Sequence, residues 1–238
     1  MMPLPSDLRL AQHPWHAFFF SVFALYVYGA LIFLFAASIF PDLADLFQAS
    51  DPAAIEQLWL IQAVLFFAIF AHMSLWAERV GAGPFAVPIQ TDWKWAVGAI
   101  IGGPIIYVTL LTFSYTVIAG GAEDWAYADT DMQDIMENSA ASAAMIVAVV
   151  LIGPIFEEMA YRGIAMGALL GRGVPTAAAI IIPAILFAIS HTQYTPAALF
   201  AVFMFGIFLG ILRLKSRSIA PPILAHMSVN WFLTVGLG

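Results

Sequence analysis

The sequence predicts an all-α fold, a bundle of about seven membrane-spanning helices, and three observations lead there. Hydrophobic residues make up 63% of the chain, charged residues only 10%, and mean hydropathy is +0.93. Soluble domains carry roughly a quarter charged residues, so this composition belongs to a polytopic membrane protein. The apolar residues come in runs long enough to cross a bilayer, separated by short polar or Gly/Pro-rich joints. Apart from Arg162, every Lys and Arg falls on alternate joints: Arg9, then Arg79 and Lys94, then Arg172, then Arg213, Lys215 and Arg217. By the positive-inside rule this places the N-terminus in the cytoplasm.

Residues 1–15 are polar and proline-bearing and lack the form of a cleaved signal, so the first span is expected at Ala17–Phe40. An acidic joint over 41–57 leads to a second span, Leu58–Trp76, and a Gly/Pro-rich joint to a third, Trp95–Gly120. Residues 121–138 hold Glu123, Asp124, Asp129, Asp131, Asp134 and Glu137 with no base, which reads as a solvated external loop. The fourth span starts near Ser139 and reaches Gly171. At 1.5 Å per residue it would measure roughly 48 Å against a hydrocarbon core of about 30 Å, so a kink or break is expected at Gly153-Pro154. Three further spans are expected at Val174–His191, Pro196–Leu214 and Ile219–Val235. The whole is read as a single membrane domain over 1–238, with three N-terminal helices and the acidic loop in 1–138 and the chemistry in 139–238.

The chemistry is expected in the fourth span, where Glu157, Glu158 and Arg162 interrupt an apolar run. An ionised group in hydrocarbon costs about 2.5 kcal/mol or more, so three of them together are retained for a reason. Glu158 and Arg162 are i and i+4 in the favoured acid-first order and pair on one face. Glu157 lies about 100° round the helix, outside that pair. Downstream, His191 follows Phe187 by four residues, and His226 and Asn230 share a face of the last helix. Each would need its own buried partner if isolated, and one shared polar site satisfies all of them. By rise alone, Glu157, His226 and Asn230 lie about 12–21 Å above the cytoplasmic helix ends and His191 about 26 Å, the highest of the four. Gly206 and Gly210 have the spacing of close helix packing.

Peptide hydrolysis needs a base for water, polarisation of the carbonyl and a proton donor for the leaving amine. Glu157 suits the base and then the acid, His191 can hold the same water, and His226 with Asn230 can donate to the developing oxyanion. The pattern Glu-Glu-x-x-x-Arg, Phe-x-x-x-His, His-x-x-x-Asn over roughly residues 153–231 resembles the CPBP family. That family comprises the type II CAAX prenyl endopeptidases and the related bacterial Abi or bacteriocin-processing proteins, which are intramembrane glutamic endopeptidases. The resemblance implies the same catalytic set, Glu157, His191, His226 and Asn230, with Glu158, Arg162 and Phe187 supporting. It also implies a membrane-bound peptide or lipidated protein, some of them prenylated, as substrate, lipid as surroundings, and no cofactor.

Other classes remain open at this level. A zinc protease would use Glu157, His191 and His226 as ligands, although there is no His-Glu-x-x-His. A proton-coupled transporter would use Glu157 as a relay, yet the two halves show no repeat. A non-catalytic bacteriocin-immunity protein would not need every motif residue. The absence of cysteine excludes thiolate chemistry, and an acid-rich chain of net charge −7 with no basic cluster excludes nucleic acid as a partner. The setting expected from the charge pattern is a bacterial inner membrane.

Overall fold

The computed structural model describes isolated helical positions between Trp15 and Leu34, then residues 52–79, 89–119, 143–192 and 194–235. Most of the expected first span and the whole acidic loop lie outside the described residues. Within them the secondary structure is helical throughout. The helices are α1 (Pro52–Arg79), α2 (Trp93–Ser114, continued by a wider turn over Tyr115–Ala119), α3 (Ala143–Gly171), α4 (Thr176–Ile189), α5 (Pro196–Ser216) and α6 (Ala220–Val235).

Local chemistry sets the ends. Asp92 accepts from the Lys94 amide at 2.8 Å and starts α2. Thr195 accepts from the Ala198 amide at 3.3 Å, and Pro196 fills the first turn of α5, where a missing N–H costs nothing. Arg217, at φ 57°, ends α5 in the left-handed region and turns the chain directly into α6. Among the boundaries that differ from those expected, two bear on the site. α1 begins at Pro52, so the acidic joint is shorter by one and a half turns. α4 stops at Ile189, which leaves His191 in the turn that follows it.

α3 is the axis of the site. It runs unbroken for 29 residues, so of the kink or break expected at Gly153-Pro154 the break does not occur. The strain is taken up by two stretches of wider, π-type turn, Ile146–Ile152 before the glutamates and Met159–Ala165 after them. In the first, the Gly153 amide reaches five residues back to Ala148 O; in the second, the Met166 amide reaches Tyr161 O. Such bulges are rare and cluster at functional sites.

α6 packs along α2, α5 along α4 and α2, and α3 fits between α6 and α1. The closest approach is at Gly103 of α2, where a Cβ would lie 2.8 Å from Ala225 O of α6. Only glycine lets the two backbones meet there. The outer faces are apolar: Val64 and Phe67 are each 66% exposed and Ile105 62%, a distribution that suits lipid and not water. Three of the described helices, Trp93–Ala119, Ala143–Gly171 and Pro196–Ser216, are long and apolar enough to cross a membrane. The protein is an integral membrane protein.

Candidate active site

Glu157 and Glu158, adjacent in sequence, face different surroundings because successive residues point about 100° apart. Glu158 is fully buried and receives the Arg162 guanidinium, Nη1 to Oε1 at 2.6 Å. The same Oε1 accepts from His226 Nδ1 at 3.0 Å. The expected Glu158–Arg162 pair is therefore part of a larger group in which Glu158 also holds a histidine. Because a carboxylate only accepts, His226 carries its proton on Nδ1, and Nε2 is turned toward Glu157, 3.7 Å from Oε2. Glu157, 20% exposed, thus has a histidine beside it instead of standing alone, though at a distance longer than a hydrogen bond.

Arg162 is fixed on three sides. Nη2 donates to Gly206 O at 3.2 Å, and the guanidinium lies 4.5 Å from the Phe187 ring centre. Phe187 is the hub of the site: its ring also makes edge contacts with Tyr161, with His191 at 4.7 Å and with His226 at 5.5 Å. One aromatic ring sets the spacing of the cation and both histidines. The small residue at 206 is what lets α5 come this close, since a Cβ there would lie 3.1 Å from both Arg162 Nη2 and Ala184 Cβ. Gly206→Val is expected to cost about 1–3 kcal/mol by overpacking and to lower activity by displacing the guanidinium. Thermal unfolding in detergent would register the first effect; unchanged stability would show that the contact yields freely.

His191 sits one turn beyond Phe187. Its Nδ1 donates to Phe187 O at 2.8 Å, capping the carbonyl end of α4 and leaving Nε2 as an acceptor. The ring stacks on Tyr194 at 5.6 Å. Asn230, one turn after His226 on α6, donates Nδ2 to Val149 O at 2.8 Å. Glu157, Phe187, His191, His226 and Asn230 all line one cavity of about 680 Å³. The height estimated from rise alone does not exclude His191, because α4 is short and its end meets the middle of α3.

The cavity has walls that the motifs do not announce. Trp59, Gln62 and Phe66 of α1 and Tyr107 of α2 border it, and Phe66 stacks on Phe156 with centroids 5.8 Å apart. Gln62 carries the one legible signal, a lone amide in the run Leu58–Trp76 before His72. The aromatic residues carry none, since a lipid-facing Phe and a cavity-facing Phe look alike in sequence. Among the described residues, no group of three or more His, Asp or Glu side chains is placed to hold a metal ion. Glu157, His191 and His226 do not form such a group.

Residues 139–232 match the family described as type II CAAX prenyl endopeptidase Rce1-like. No curated protein and no solved structure matches the chain.

Proposed function

We propose, from the premise that residues 139–232 belong to the type II CAAX prenyl endopeptidase Rce1-like family of intramembrane peptidases, that this protein is a metal-independent glutamate-type endopeptidase. Its substrates are proposed to be membrane-associated peptides or lipidated proteins. The observation that carries the reading is the pairing of roles on α3: Glu158 is consumed by Arg162 and His226, while Glu157 faces the cavity with His226 Nε2 3.7 Å away.

In this reading a water held between Glu157 and His191 Nε2 loses a proton to Glu157 and attacks the peptide carbonyl. The bond from water oxygen to carbonyl carbon forms, and negative charge gathers on the carbonyl oxygen. His226 and Asn230 stand on one face of α6 to receive that charge, each donor of this kind being worth about 3 kcal/mol. Nε2 donates while Nδ1 remains bound to Glu158 when both ring nitrogens carry a proton. Glu157 finally passes its proton to the leaving nitrogen as the C–N bond breaks.

A cavity of about 680 Å³ with mostly apolar walls suits a substrate that arrives from the bilayer with an apolar group attached. The alternate-loop basic residues support a cytoplasmic N-terminus and a bacterial inner membrane. The test is cleavage of matched fluorogenic peptides, plain and lipidated, by purified protein in liposomes, with and without a chelator. Cleavage that resists the chelator and favours the lipidated peptide is the expected outcome. Abolition by the chelator would transfer the chemistry to a metal, and equal rates on both peptides would remove the lipid preference.

A further inference from the structure

A second role for Asn230 follows from the backbone of α3. In the wide turn before the glutamates the ladder runs five residues back, as the Gly153 amide does to Ala148 O. The next rung would join the residue 154 amide to Val149 O. Residue 154 is proline and has no N–H, so Val149 O loses its partner inside the helix. In a membrane helix a carbonyl left unpaired is tolerated only where protein or a wet cavity supplies a partner. The atom that reaches it is Asn230 Nδ2, at 2.8 Å, from a different helix.

We infer that Pro154 acts as a positioning residue: by leaving Val149 O vacant it captures one N–H of the Asn230 amide and aims the other into the cavity. A carbonyl can only accept, so Nδ2, and not Oδ1, must face Val149. One of the two amide hydrogens is spent there, and the other stands on the cavity side, where Asn230 is a lining residue. The same helix thus sets both of the donors assigned to the oxyanion, His226 through Glu158 Oε1 and Asn230 through Val149 O. This inference rests on the peptidase reading for its catalytic half and on the backbone geometry alone for its structural half.

The experiment is a double-mutant cycle with Pro154→Ala and Asn230→Ala, read by thermal midpoint in detergent and by kcat and KM on a cleaved peptide. Alanine at 154 restores an N–H that can bond Val149 O and release the amide. Three results are expected. Asn230→Ala lowers the midpoint in the wild-type background but by less than half as much in the Pro154→Ala background, since the gap is then already filled. Pro154→Ala alone folds at least as stably as wild type, and its kcat falls by roughly ten- to a hundred-fold with KM nearly unchanged, as misorientation of a positioned group requires. The double variant regains stability without regaining activity.

An equal midpoint loss in both backgrounds would overturn the capture of Asn230 by the vacant carbonyl. A normal coupling in stability together with an unchanged kcat in Pro154→Ala would overturn the positioning role. If the wild-type protein cleaves no peptide, the peptidase reading falls and takes the positioning role with it. The stability cycle still decides the capture in that event.

Discussion

Glu157→Gln is expected to lower peptide cleavage by about 10³-fold or more with the thermal midpoint close to that of wild type. The substitution keeps the shape of the side chain and removes only its capacity to take a proton. Little stability is at stake, because the carboxylate is 20% exposed and its contact with His226 Nε2, at 3.7 Å, is too long for a hydrogen bond. The comparison is turnover of one fluorogenic peptide by both proteins at matched concentrations of folded material. A variant that retains cleavage would remove Glu157 as the base. A variant that loses the fold would show that Glu157 supports the buried charge group, as its neighbour does.

Arg162→Ala is expected to have the largest effect on the fold, a loss of about 3–5 kcal/mol. The arginine and Glu158 are both buried, and removing the cation strands a carboxylate whose Oε2 already lacks a hydrogen-bond partner among the described residues. Gly206 O loses its side-chain donor at the same time, and the Phe187 ring loses the cation against its face. Lysine is not expected to rescue the site. A point charge on a flexible stem cannot bond Glu158 and Gly206 O together and still lie flat near the ring. Chemical or thermal unfolding in micelles provides the measurement, and an Arg162→Ala protein as stable as wild type would mean that the pair contributes nothing net.

The parts of this site that could be read from sequence are those that depend on helix pitch alone. Glu158 and Arg162 pair because they are four apart, and His226 and Asn230 share a face for the same reason. The apolar runs gave α2, α3, α5 and α6 to within a few residues. What could not be read depends on which helix meets which. That His226 lies between both glutamates requires α6 to cross α3 at one height, and no local pattern encodes that crossing. The ladder gap at Val149 was hidden because a helix with a proline is expected to break, whereas here the wide turns absorb the distortion. Rise alone sets His191 highest of the four, yet it lines the same cavity as Glu157, because length along a helix is not depth when the helix is short and its last turn packs on the middle of another. The contribution of α1 to the cavity left only Gln62 as a trace.

The wide turns in α3 give this segment slack in its length that an ordinary helix lacks. A residue taken out between Ile146 and Ile152 would let the chain relax to ordinary pitch with the glutamates facing nearly as before, because the wide turn absorbs one surplus residue. A residue taken out of the ordinary turn at 153–156 meets no such slack, and everything after it would be turned by about 100°. Glu157 would then face packed side chains, and Glu158 would leave Arg162's neighbours on α4 and α5. The stretch between the two wide turns is thus the rigid index that hands two adjacent carboxylates to two different tasks.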